Sequence, residues 1–147
     1  MAVQRMDNVL IVVDDLDDVL SFFVELGMEL EGRRPLEGPW VDRVVGIDGC
    51  REDIAVLRTP DGHGKIELAK FHTPEAIRSE PRDAPVNTLG LRRVMFAVDD
   101  IDATVSRLRA SHGAELVGEV VRYEDVYLLC YLRGPEGIVV GLAEELG

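Results

Sequence analysis

Glu67 is the carboxylate whose neighbours most invite a chemical reading. It stands in Lys65-Ile66-Glu67-Leu68, between His63 and His72. Imidazole and carboxylate ligands together suit a divalent ion, so a His63–Glu67–His72 set is one chemistry to weigh. His63 falls in a glycine-rich turn and His72 past a strand end. Both are therefore expected near the surface, and spacing alone does not make ligand geometry. Arg93 offers a planar fork that fits a carboxylate or phosphate. Tyr127, Leu129 and Tyr131 alternate onto one face of a strand, where the phenols serve packing or proton transfer. Cys130 then points to the other face, as a small core residue. Cys50 is expected in a turn, more exposed, with no neighbouring base to activate it. Asp61-Gly-His-Gly-Lys65 lacks the spacing and the Ser/Thr of a phosphate loop. Neither a Gly-x-Ser-x-Gly elbow nor a Gly-x-Gly-x-x-Gly fingerprint occurs.

These residues are positioned by a motif written twice. Asn8-Val-Leu-Ile-Val-Val-Asp-Asp-Leu-Asp17 returns as Arg93-Val-Met-Phe-Ala-Val-Asp-Asp-Ile-Asp102. Gly27-Met-Glu-Leu30 then matches Gly113-Ala-Glu-Leu116 after a one-residue insertion. Each copy opens on an apolar, β-branched strand. Asp15 and Asp100 follow as helix N-caps, where a carboxylate accepts from free N–H groups. Leu16, Val19, Leu20 and Phe23 line one face of the first helix; Ile101, Val105 and Leu108 line the second. Gly27 and Gly113 stand at the C-caps.

Further strands are expected at about 28–34, 42–47, 53–58 and 65–71, then at 115–121, 126–133 and 138–143. Pro60-Asp-Gly62 and Gly134-Pro-Glu-Gly137 are turns into the last strand of each half. A short helix is expected from Pro74 to Ile77, and a linker from Glu80 to Pro85. The reading is α+β: two βαβββ modules, about 6–72 and 90–144, joined by residues 73–89 within one domain spanning 1–147.

This pattern resembles the vicinal oxygen chelate superfamily, which groups glyoxalases, bleomycin-resistance proteins and dioxygenases. The carrying features are strand–Asp-Asp-Leu-Asp–helix with Phe22-Phe23, Ile66-Glu67-Leu68, and a second copy ending in Gly134-Pro-Glu-Gly137. The resemblance implies two modules pairing into a half-open barrel around a cavity. It also implies four metal ligands, usually His, Glu, His and Glu, from the first and last strands of each module. Carried onto this chain, those positions hold Asn8, Glu67, Arg93 and Gly141. One carboxylate does not hold a divalent ion tightly, and an arginine repels it. A metal is therefore disfavoured and no cofactor is expected. Glu67 and Arg93 would instead form an ion pair facing across the cavity, with Asn8 beside it.

Strand alternation from these positions places Leu10 and Met95 on the cavity side, with Leu129, Tyr127 and Tyr131. Trp40, in the loop-like stretch Glu37–Arg43, would overhang the mouth. The expected function is binding of a small organic molecule in an apolar cavity. If a reaction occurs, Glu67 is the base and Arg93 the stabiliser of an enolate-like intermediate. The alternative is a metal-dependent lyase, epimerase or dioxygenase with non-standard ligands. A homodimer is expected from the resemblance.

Composition bounds the partners. The 147 residues hold 28 acidic and 16 basic side chains, a net charge of −12. Such a chain repels phosphate backbones and anionic membranes, so neither nucleic acid nor membrane is expected. The N-terminus has no apolar signal region. Two cysteines are no disulfide framework, and a cytoplasmic location is expected.

Overall fold

The computed structural model describes residues 2–79 and 81–147. Chain contacts divide it into two units, Met1–Ile77 and Arg78–Gly147. Glu80, the first residue of the expected linker, lies outside the described residues.

The first unit runs β1 (Val9–Val12), α1 (Leu16–Leu26), β2 (Glu29–Glu37), α2 (Pro39–Val45), β3 (Arg51–Arg58) and β4 (Lys65–Thr73). Its sheet has the order β1-β4-β3-β2, with β1 parallel to β4 and the other pairs antiparallel. Asp15 caps α1, accepting from the Asp18 N–H at 3.0 Å, and Gly27 closes it at φ +127°. Leu16, Val19, Phe22, Phe23 and Leu26 are buried. The Phe22 and Phe23 rings meet edge to face at 5.2 Å. Each such side chain contributes about 1.5–3 kcal/mol by leaving water. Ala55, Leu57, Ile66 and Leu68 share one sheet face and are fully buried, and α1 contacts their strands.

Several local expectations are corrected here. The stretch at 42–47 is not a strand. Pro39 starts a helix after Gly38, Val41 anchors it in the core, and Gly46 ends it in the left-handed region. The β-branched Val44 and Val45 are 77% and 39% exposed, so no packing supports a strand there. Trp40 consequently stands on a helix rather than in a loop. Cys50 is buried, not exposed: the Asp42 carboxylate accepts from its N–H at 3.0 Å and folds the segment inward. Pro74 and Glu75 form a turn, not a helix start. Pro35 lies within β2, tolerated because that strand is at the sheet edge.

The second unit runs β5 (Arg93–Ala97), α3 (Ile101–His112), β6 (Glu115–Leu116), β7 (Val121–Tyr123), β8 (Tyr127–Arg133) and β9 (Val139–Glu145), with a 3-10 turn at Pro135–Gly137. Strand order is β5-β9-β8-β6, and β7 also pairs with β8. Again the first strand is parallel to the last. Asp100 caps α3, accepting from the Ala103 N–H at 3.0 Å, while Glu144 of β9 accepts from the Ile101 N–H at 2.7 Å. Ile101, Val105 and Leu108 are buried as expected. The expected strand 115–121 is instead two short ones. The Tyr123–Tyr127 hairpin turns on Glu124 and Asp125, both at positive φ, and closes with Val126 N–H donating to Tyr123 O at 2.9 Å.

Arg133 ties the start of this unit to its last turn. It donates to Gly137 O and to Ala84 O, both at 3.0 Å. Gly137 sits at φ +77°, and a Cβ there would stand 2.3 Å from the Arg82 carbonyl oxygen. The two units thus repeat the βαβββ plan, and the α+β class is observed.

Candidate functional site

Alternation along β8 decides which side chains share a face. Cys130 and Leu132 are buried on the α3 side. Burial pushes the Cys130 thiol up to about 11, and the Asp102 carboxylate on α3 adds to the shift. Leu129 and Tyr131 therefore face the other way, in register with Ala143 and Gly141 of β9. Gly141 is in turn in register with Met95 of β5. The absence of a side chain at Gly141 matters here. A Cβ would stand 3.1 Å from Met95 Sδ, so the thioether occupies the space. Across the same bare strand, the Arg93 guanidinium lies over the Tyr131 ring, 4.8 Å from its centroid. No carboxylate of its own unit pairs with Arg93 among the described residues.

This face is graded along the strands. Arg93, Val139 and Arg133 stand in one register row, with Glu115 at its far edge. Met95, Gly141 and Tyr131 form the next row on the face. Beyond them lie Leu129 with Val121, then Tyr127 with Tyr123 and Glu145. Met95, Val121, Tyr123 and Tyr127 are all exposed. Tyr123 and Val121 were not among the expected site residues. The turn at Glu124-Asp125 lacks the Asn or Gly that signals such a hairpin, so sequence alone hid their strand.

In the first unit, Glu67 is half-buried, in register with Leu10 of β1 and Val56 of β3. No group of its own unit pairs with it among the described residues. Leu10 is exposed beside it, and Asn8 stands exposed just before β1. His63 and His72 are both exposed, as expected. The Asp61 carboxylate accepts from the Thr59 hydroxyl and the His63 N–H in the turn, and these bonds hold its pKa low. His72 Nε2 lies 3.0 Å from Asp53 Oδ2, in the wall of a pocket of about 230 Å³ at the ends of β2, β3 and β4. That pocket does not include Glu67. Cys50 Sγ lies 3.7 Å from Glu52 Oε2, and burial with that carboxylate raises its pKa. Trp40 is 54% exposed on α2.

The donor set does not fit the superfamily's metal. Glu67 is a single carboxylate, Arg93 brings a cation onto Tyr131, and Gly141 has no donor and is crowded by Met95. Among the described residues, no three His, Cys, Asp or Glu side chains are grouped to hold an ion.

Residues 5–142 match the Glyoxalase/Bleomycin resistance protein/Dioxygenase superfamily model, and the chain belongs to that family. A glyoxalase family protein from Bacillus cereus is similar throughout, with 59% identity, TM-score 0.94, and 100% and 99% of the two chains covered. A glyoxylase/bleomycin resistance protein/dioxygenase domain from Frankia sp. EAN1pec is 17% identical, with TM-score 0.65 over 98% and 99%. TnmS3, an antibiotic binding protein from Streptomyces sp. CB03234, is 20% identical, with TM-score 0.61 over 99% and 98%. No curated protein matches the chain. Among the described residues, no helix is long and apolar enough to cross a membrane.

Proposed function

We propose that this chain binds a small organic molecule on the face of β5, β9 and β8 turned away from α3, without the four-ligand metal site. The observation that carries this reading is the arrangement around Gly141. A strand stripped of its side chain lets Met95 and the Arg93–Tyr131 stack approach one another. The result is an apolar and aromatic surface with one cation, Arg93, that no carboxylate of its own unit pairs among the described residues, the mixture that small-molecule sites use. Leu129 and Tyr127 supply further apolar contact, with Val121 and Tyr123 beside them on β7. If the bound molecule also reacts, Arg93 stabilises the negative charge that develops. The same scaffold serves binding in TnmS3, by its description. The reading also takes the protein as a cytoplasmic homodimer. Ile77, Leu89 and Leu91, at 97%, 95% and 87% exposure, are the kind of apolar surface a second copy would cover.

Two measurements on untagged protein test the proposal. Elemental mass spectrometry is expected to find no stoichiometric divalent ion, and a thermal-shift screen of small organic molecules is expected to find stabilising ligands. A ligand at about a hundred times its Kd adds ~2.7 kcal/mol of stability. Tyr131→Ala is expected to abolish that gain. A stoichiometric metal, or ligands that stabilise Tyr131→Ala equally well, would overturn it.

A further inference from the structure

Resting on that reading, we infer that the ligand is a flat aromatic carboxylate whose acid group sits on Arg93. The argument begins with charge. A chain of net charge −12 disfavours anions in general, so an anion needs a local cation. This face supplies one at a defined end. Arg93 and Arg133 share a register row, and the carboxylate in that row, Glu115, is three strands away from Arg93. Glu115 stands beside Arg133 at the sheet edge, and Glu145 is in the Tyr127 row. Six residues of strand separate the Val139 row from Glu145, roughly 20 Å. Arg133 is already engaged with two carbonyls. Arg93 has no carboxylate partner in its own unit among the described residues; it lies over Tyr131, 4.8 Å from the ring centroid, and its fork of N–H groups can serve a planar acceptor. Guanidinium and carboxylate match two bonds to two bonds.

The middle of the face selects the ligand's body. Tyr131, Tyr127 and Tyr123 offer rings, and Met95, packed over Gly141, a polarisable sulfur that favours aromatic contact. A planar ring can stack on these tyrosines and on the Met95 thioether with its acid pointed at Arg93.

Titration calorimetry with four probes tests this: 1-naphthoate, 1-naphthylmethanol, 1-naphthylmethylamine and 1-naphthyl phosphate. The carboxylate is expected to bind at least tenfold tighter than the alcohol, and the amine most weakly. Arg93→Met is expected to remove the preference for the acid, so that acid and alcohol bind the variant equally within about twofold. Arg93→Lys keeps the charge but loses the fork, and is expected to recover only part of the preference. Circular dichroism checks that both variants fold. Equal binding of acid and alcohol would overturn the ligand class while leaving the binding reading intact. Tighter binding of the phosphate would overturn the carboxylate assignment. Failure of all four probes would also overturn the class, and the library screen separately decides whether the face binds anything.

Discussion

Cys130 illustrates how one residue reports the sheet's facing. Its alternation with Tyr131 puts it against α3, and burial there raises its thiol to about 11. The unfolded thiol ionises near pH 9.0, the reference value. Between these values the folded state holds a proton that the unfolded state has lost. Stability from this group is therefore present below pH 9 and falls as pH rises toward 11. Urea unfolding followed from pH 8 to pH 11 is expected to show a declining midpoint. Cys130→Ser is expected to flatten that decline, though Cys50, raised in the same direction, leaves part of it. At pH 8 both thiols are expected to react with Ellman's reagent far more slowly in the native than in the unfolded protein. Rapid native labelling would contradict the burial. The chemistry of Cys130 was legible from alternation alone; that of Cys50 was not. Its burial depends on the Asp42 carboxylate eight positions earlier, a contact with no periodic signature.

At the scale of elements, repetition made the helices legible and irregular turns hid the rest. Asp15 and Asp100 cap as read because capping is local chemistry, set within three residues. The helix Pro39–Val45 is hidden in the sequence because its Val44-Val45 run carries strand propensity, while the decisive burial of Val41 is tertiary. The Pro135–Gly137 turn was anticipated, but not the close approach of Arg82 that makes Gly137 indispensable. Gly137→Ala is expected to destabilise by about 1–2 kcal/mol from its left-handed φ, and by a further ~1–3 kcal/mol from the clash with backbone. Gly62→Ala is the matched control. Its φ is +78° with nothing within 4 Å of the added Cβ, so only the conformational cost applies. Urea melts of the two variants separate the terms, and equal losses would refute the close approach.

For the whole molecule, the duplicated plan carries family and fold class, and both are legible in the sequence. The candidate site was readable only in part. Arg93, Met95, Leu129, Tyr127 and Tyr131 do share a face in the second unit, because strand period and register agree there. Tyr123 and Val121 joined them through a hairpin whose turn residues are atypical.

The parallel pairing of each unit's first strand with its last has a mechanical consequence. Tension applied at the two chain ends enters the first unit at the start of β1 and leaves it at the end of β4. Because those neighbours run in the same direction, the pull slides one along the other instead of peeling them apart. All the hydrogen bonds between them must yield together. The second unit is loaded in the same way through β5 and β9. A single-molecule pulling trace should therefore show abrupt, high-force ruptures, each releasing on the order of 20 nm of chain. A low, gradual unzipping would mean that the terminal strands do not bear the load.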